Sequence, residues 1–184
     1  LPGGVDQHTH YLFGTPHVDT SGKPTTDLVG KTLDYTYVAL LGGTTTIIEH
    51  TSNQPDMSMI ETLEFKKKDC AKDVICCDYS MHANCTEINE KAFEEVAKLP
   101  EHGVSTLKVY MAYKPTCYYA DDETIFRFME ICREKGITMY IHAENADLVN
   151  YLRDKAHAEG KWQPEYHIKT RPTYVEYEAV QRII

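Results

Sequence analysis

Five times along the chain, a short run rich in apolar and β-branched residues is followed by a segment of helical length, and nothing else in the sequence constrains the fold as strongly. The strand-like runs lie at about 4–10, 44–50, 76–83, 105–111 and 137–143, with helices expected near 27–41, 56–70, 88–99, 121–136 and 145–159 and a last one at 172–184. Gly42 and Gly43 close the first helix, and Asp121, Asp122 and Glu123 place negative charge at the positive end of another. Parallel strands need long crossovers, which helices supply, so this spacing predicts an α/β chain built on a parallel sheet. No internal repeat, low-complexity run or linker interrupts it, so residues 1–184 read as one domain, long enough for a real core. The loop from Tyr11 to Thr26 holds Gly14, Pro16, Gly22 and Pro24 and leaves the end of the first strand, where such loops act as lids or substrate walls.

Lys108 breaks the pattern. In STLKVYMAYK, residues 105–114, alternation puts Thr106, Lys108 and Tyr110 on one face of a strand and Leu107, Val109 and Met111 on the other. An isolated strand lysine normally snorkels from an edge into water, whereas a lone buried ammonium is expensive. The context favours a functional role. In DQHTH (6–10), His8 and His10 are two apart, so both imidazoles project from one face and can hold one ion, and His142 closes the apolar run ITMYI. Three strands thus deliver ligand-type side chains near their carboxyl ends. Burial and nearby dications would deprotonate the Lys108 amine, and reaction with carbon dioxide would give an anionic carbamate able to bridge two metals. Asp6 shares the histidine face, where it would orient an imidazole or cap the strand mouth.

Five ordered motifs, PGGVDQHTH, GGTTTIIEH, STLKVYMAYK, HAEN and TRP-x-x-x-E-x-E (170–178), together resemble the D-hydantoinases and dihydropyrimidinases, cyclic amidohydrolases of the amidohydrolase superfamily. The resemblance spans essentially the whole chain. It implies a partial (β/α)8 TIM barrel comprising about the first five βα units, the upstream β-rich domain and the last barrel units being absent. It also implies two divalent metal ions, zinc on imidazole-rich ligation, with His8 and His10 on the more buried ion, carboxylated Lys108 as the bridge and His142 on the more exposed ion. Tyr113 would hydrogen-bond the developing oxyanion. The reaction implied is hydrolytic ring opening of a hydantoin or dihydropyrimidine to an N-carbamoyl amino acid, in a homotetrameric parent.

The family's remaining ligands, a sixth-strand histidine and an eighth-strand aspartate, have no counterpart before Ile184, so the chain alone is expected to be inactive and to self-associate through open sheet edges. Alternatives are an allantoinase, a dihydroorotase or a non-catalytic dihydropyrimidinase-like assembly protein. The dihydroorotase pattern continues His-x-His with an arginine, where this chain has Tyr11 and Leu12, and the non-catalytic paralogues have lost the ligands retained here.

A formal net charge of −9 leaves no basic face for nucleic acid, and Lys66–Lys68 reads as the solvated side of a helix. No run is apolar and long enough to span a membrane, and a cytoplasmic enzyme acting on a small cyclic amide is expected. Cys70, Cys76, Cys77, Cys85, Cys117 and Cys132 form no CxxC pair and read as reduced packing thiols. His50 and His82 end predicted strands beside the site, and a hydrogen-bonded structural role is favoured for both over an outer contact to the ligands. His17 lies in the lid-like loop, while His102, His157 and His167 read as surface residues.

Overall fold

The computed structural model describes residues 2–11, 17–18, 24–25, 28–53, 56–71 and 75–184. Its strands are β1 (Gly4–Thr9), β2 (His17–Val18), β3 (Pro24–Thr25), β4 (Thr44–Thr51), β5 (Asp78–Asn84), β6 (Thr106–Tyr110) and β7 (Thr138–His142). Its α-helices are α1 (Leu28–Leu41), α2 (Met59–Phe65), α3 (Glu90–Val96), α4 (Asp122–Lys135), α5 (Ala146–Ala158), α6 (Glu165–Lys169) and α7 (Thr173–Ile183). Five strands form one sheet in the order β1-β4-β5-β6-β7, every neighbouring pair parallel. A sheet wound in one direction with its crossover helices on one side is an open half of a (β/α)8 barrel. Most of the expected lid lies outside the described residues. Its two described segments, β2 and β3, pair as a two-residue antiparallel ladder where the sequence suggested only loop.

The core fills the space between sheet and helices. Ile47, Leu107 and Val109 from the strands meet Leu63, Phe93, Val96 and Phe128 from the helices, all buried. A smaller cluster of Met111, Ala120, Ile125 and Ala179 fastens α7 to the end of β6. Asp121 caps α4 by accepting from the Thr124 amide at 2.9 Å, and Gly136 ends it at φ 67, a left-handed turn that glycine adopts freely.

Two expected helices stop early. The segment expected at 56–70 is α2 followed by a π-helical turn at Lys66–Ala71. That turn rotates Lys66 inward, where it is only 1% exposed and donates to the Ser52 carbonyl at 3.2 Å, so it does not lie on a solvated face. The segment expected at 88–99 ends as α3 plus a 3-10 turn at Leu99–His102, because Pro100 cannot continue an α-helix. Helix α6, a single turn and a half after Pro164, was not anticipated.

Candidate metal centre

The first two ligand-type histidines owe their placement to an irregularity in β1. Asp6 pairs with Ile47 and Thr9 with Glu49, so β1 spends one more residue than β4 over that interval, a bulge containing Gln7 and His8. Side chains satisfy the backbone groups it displaces. The Asp6 carboxylate accepts from the His8 amide at 3.1 Å, and the Gln7 carbonyl accepts from His82 Nε2 at 2.9 Å. Asp6 therefore caps the strand mouth, and among the described residues no imidazole is hydrogen-bonded to it. Buried Glu49 accepts from Thr9 Oγ1 at 2.7 Å and from the Tyr11 amide at 2.9 Å, clamping the chain on both sides of His10. Nothing in the spacing of Glu49 along the chain announces this clamp.

With the backbone so held, the Nε2 atoms of His8 and His10 stand 3.3 Å apart. Two nitrogens at that distance share a proton or a cation. A tetrahedral zinc with bonds of 2.0–2.1 Å separates two nitrogens by about 3.4 Å, so the pair fits such an ion. Burial, then the neighbouring His8, lowers the pKa of His10 and favours the neutral ring that ligates.

Lys108 lies on β6, an interior strand, with Asn84 of β5 and Tyr140 of β7 as its lateral neighbours. The edge-strand explanation is thereby excluded. Burial alone lowers the pKa of its amine, and its Nζ lies 5.4 Å from the Tyr110 ring centroid. Among the described residues no carboxylate pairs with it. Two rungs further on, His142 neighbours Tyr110, and its Nε2 is 2.7 Å from Glu144 Oε2. A carboxylate only accepts, so the neutral ring carries its proton on Nε2 and leaves the Nδ1 lone pair free. Glu144 also pairs with Arg171 Nε at 3.4 Å. Tyr113 follows the strand in a left-handed conformation, φ 68, with its ring 5.2 Å from that of His142 and edge-on to it. Lys114, the next residue, is held to α5 by an ion pair with Asp147 and by its carbonyl, which accepts from Asn150 Nδ2 at 2.8 Å.

All five residues singled out in the sequence, His8, His10, Lys108, Tyr113 and His142, line one cleft of about 520 Å³. They do not make a closed site. Among the described residues no three His, Cys, Asp or Glu donors converge on one point. The donor set nevertheless fits the two-metal reading in kind: a close imidazole pair, a third imidazole with a free nitrogen, and an amine whose lowered pKa favours carbamate formation.

The two strand-end histidines part company. His82 is hydrogen-bonded at both nitrogens, Nδ1 lying 2.5 Å from Thr106 Oγ1, as expected of a structural residue. His50 is equally buried, yet neither ring nitrogen has a partner, and burial followed by His8 and His82 pushes its pKa to about 3. The hydrogen-bonded role expected for His50 is therefore wrong. Asn84, the lateral neighbour of Lys108, is buried and donates from Nδ2 to Ser52 Oγ at 2.9 Å.

The amidohydrolase family model matches residues 1–169. The chain is 38% identical over 186 residues to the D-hydantoinase of Geobacillus stearothermophilus, covering 99% of this chain and 37% of that one. It is 37% identical over 188 residues to the dihydropyrimidinase of Rattus norvegicus, covering 100% and 34%. A solved D-hydantoinase superposes on 98% of the chain, 37% of its own length, with a TM-score of 0.82 and 34% identity. The chain thus spans a little over a third of the length of the relatives it matches. Among its described residues, no helix is long and apolar enough to cross a membrane.

Proposed function

Because the chain belongs to the amidohydrolase family, we propose that it forms the first five βα units of a metal-dependent hydrolase that opens the ring of a hydantoin or dihydropyrimidine to an N-carbamoyl amino acid. The names of the D-hydantoinase and dihydropyrimidinase relatives support the substrate class. The observation that carries the reading is Lys108: a desolvated amine without a carboxylate partner among the described residues, opening into the same cleft as His8, His10 and His142.

In this reading His8, His10, Lys108 and His142 hold two divalent ions, zinc in view of the imidazole-rich donors. When bound, the ions supply an acidified water and polarise the ring carbonyl. Lys108 prepares the site. Its neutral amine adds to the carbon of carbon dioxide, a proton leaves to solvent, and the resulting carbamate would supply the site with one anionic ligand. Glu144 keeps the proton on His142 Nε2 and so presents Nδ1 to the cleft. Tyr113 donates its phenolic hydrogen to the oxyanion that develops at the attacked carbonyl, a contribution of a few kcal/mol (about 3). A homotetrameric, cytoplasmic parent is part of the same proposal, and sedimentation and fractionation test those two points.

The central test is Lys108→Ala in a protein containing the whole barrel. Metal content and turnover are expected to vanish together, with partial rescue by bicarbonate plus a short carboxylic acid. Two retained metals per chain with normal turnover would sink the carbamate reading.

A further inference from the structure

Helix α6 buries no residue of its own, so apolar packing does not account for where the chain goes next. Polar contacts do. Arg171, just beyond the helix, has its Nη1 3.3 Å from both the carbonyl and Nδ1 of His167 and 3.4 Å from Thr170 Oγ1. Its Nε then reaches Glu144 Oε1 at 3.4 Å, while the other oxygen of that carboxylate, Oε2, lies 2.7 Å from His142 Nε2. One carboxylate is thus divided between a cation and an imidazole. The two side chains of the ion pair are only 26% and 19% exposed, so they are largely shielded from the water that would screen them. Arg171, His167, Glu144 and His142 line an opening of about 460 Å³ that shares Lys108, Tyr113 and His142 with the cleft. The terminal torsion of a glutamate is broad, so a carboxylate held at one end only is free to turn its second oxygen elsewhere.

We propose that Arg171 is a positioning residue for His142 and acts through Glu144: by holding Oε1 it keeps Oε2 on His142 Nε2, and Nδ1 retains its lone pair. The inference rests on the reading of His142 as a ligand. Outer partners of metal-bound imidazoles are worth about 10–100-fold in metal affinity. An amide at position 144 makes the claim specific. Glu144→Gln leaves one oxygen for which Arg171 and His142 compete, and a guanidinium only donates. With Arg171 on that oxygen, the amide hydrogens face Nε2 and the imidazole proton moves to Nδ1, where it blocks ligation.

Zinc is the probe, titrated against a chromophoric chelator into a metal-stripped protein containing the whole barrel. Arg171→Met is expected to weaken one of the two zinc equivalents about tenfold and to leave the other unchanged. In the Glu144→Gln background the sign should reverse, because removing the guanidinium returns the oxygen to His142 and restores affinity. A residue that merely tethers its segment would lower the thermal midpoint and leave both affinities alone. Equal affinity with and without Arg171, or a loss of the same size in both backgrounds, overturns the proposal, and loss of one equivalent in His142→Ala would still spare the ligand reading. Two equivalents retained by His142→Ala overturn both. Should Arg171→Met fail to fold, the imidazole nitrogen-15 shifts of metal-free Glu144→Gln decide the matter: a His142 proton on Nδ1 supports the proposal, and one still on Nε2 refutes it.

Discussion

The two faces of the sheet are made from alternate residues of the same strands and are built to different rules. On β6, Leu107 and Val109 face the helices and are fully buried, while Lys108 and Tyr110 between them face the cleft. On the helix side, the buried residues of the strands and helices form one continuous apolar cluster. On the cleft side there are an amine without a carboxylate partner among the described residues, an unpartnered imidazole and two nitrogens held face to face. Departures of that kind gather where a chain works rather than where it folds. Helices cover one side only, so half of each strand is free of the packing requirement.

If the faces are independent, the largest effect on stability should come from the helix side and leave metal binding alone. Phe128, fully buried against Phe93 at 4.5 Å between ring centroids, tests this. Phe128→Ala should lower unfolding free energy by about 3–5 kcal/mol in urea titrations, with zinc affinity unchanged wherever the variant is folded. A parallel fall in zinc affinity would break the comparison.

The opposite result is expected from the cleft. In a protein containing the whole barrel, Tyr113→Phe should reduce turnover by roughly a hundredfold while metal content and the thermal midpoint stay put. An effect confined to KM would reduce Tyr113 to positioning the substrate.

Acid offers a smaller, graded test. The unfolded chain protonates His50 near 6.5, whereas the folded chain resists until about 3. Its contribution to stability is therefore complete above pH 6.5 and is lost as the pH falls towards 3, and the lowered pKa values of His10 and His82 act in the same direction. Between pH 6.5 and 5 the metal-free chain should lose about 2 kcal/mol through His50, and His50→Phe should remove that part of the slope. Equal slopes in the two chains would show that the ring is not held neutral by the fold.

Much of this was legible because it is local. Alternation in 105–111 separates Leu107 and Val109 from Lys108, and helical spacing places α4 and α5 to within a residue or so. The shared face of His8 and His10 follows from a spacing of two. What the sequence hid depends on relations between segments. The bulge at Gln7 and His8 is a property of the register between β1 and β4, and the clamp by Glu49 joins residues 38 and 40 positions apart. Lys66 belongs to a charged triplet that looks solvated until a π turn changes which way it points. His50 and His82 look alike in sequence, and only the partners supplied by Thr106 and Gln7 tell them apart. Helix α6 is too short for periodicity to detect.

The left-handed backbone of Tyr113 bears on how this position would respond to random substitution. A bulky residue at φ 68 is strained by about 1 kcal/mol or more relative to glycine. Replacement by Gly would relax the main chain, so under drift, with selection acting only on stability, the tyrosine would tend to be lost from the turn. A library scored for thermal resistance alone should enrich Gly there, and Asn more weakly. The same library scored for ring opening should restore Tyr, placing the two criteria in opposition at a single codon.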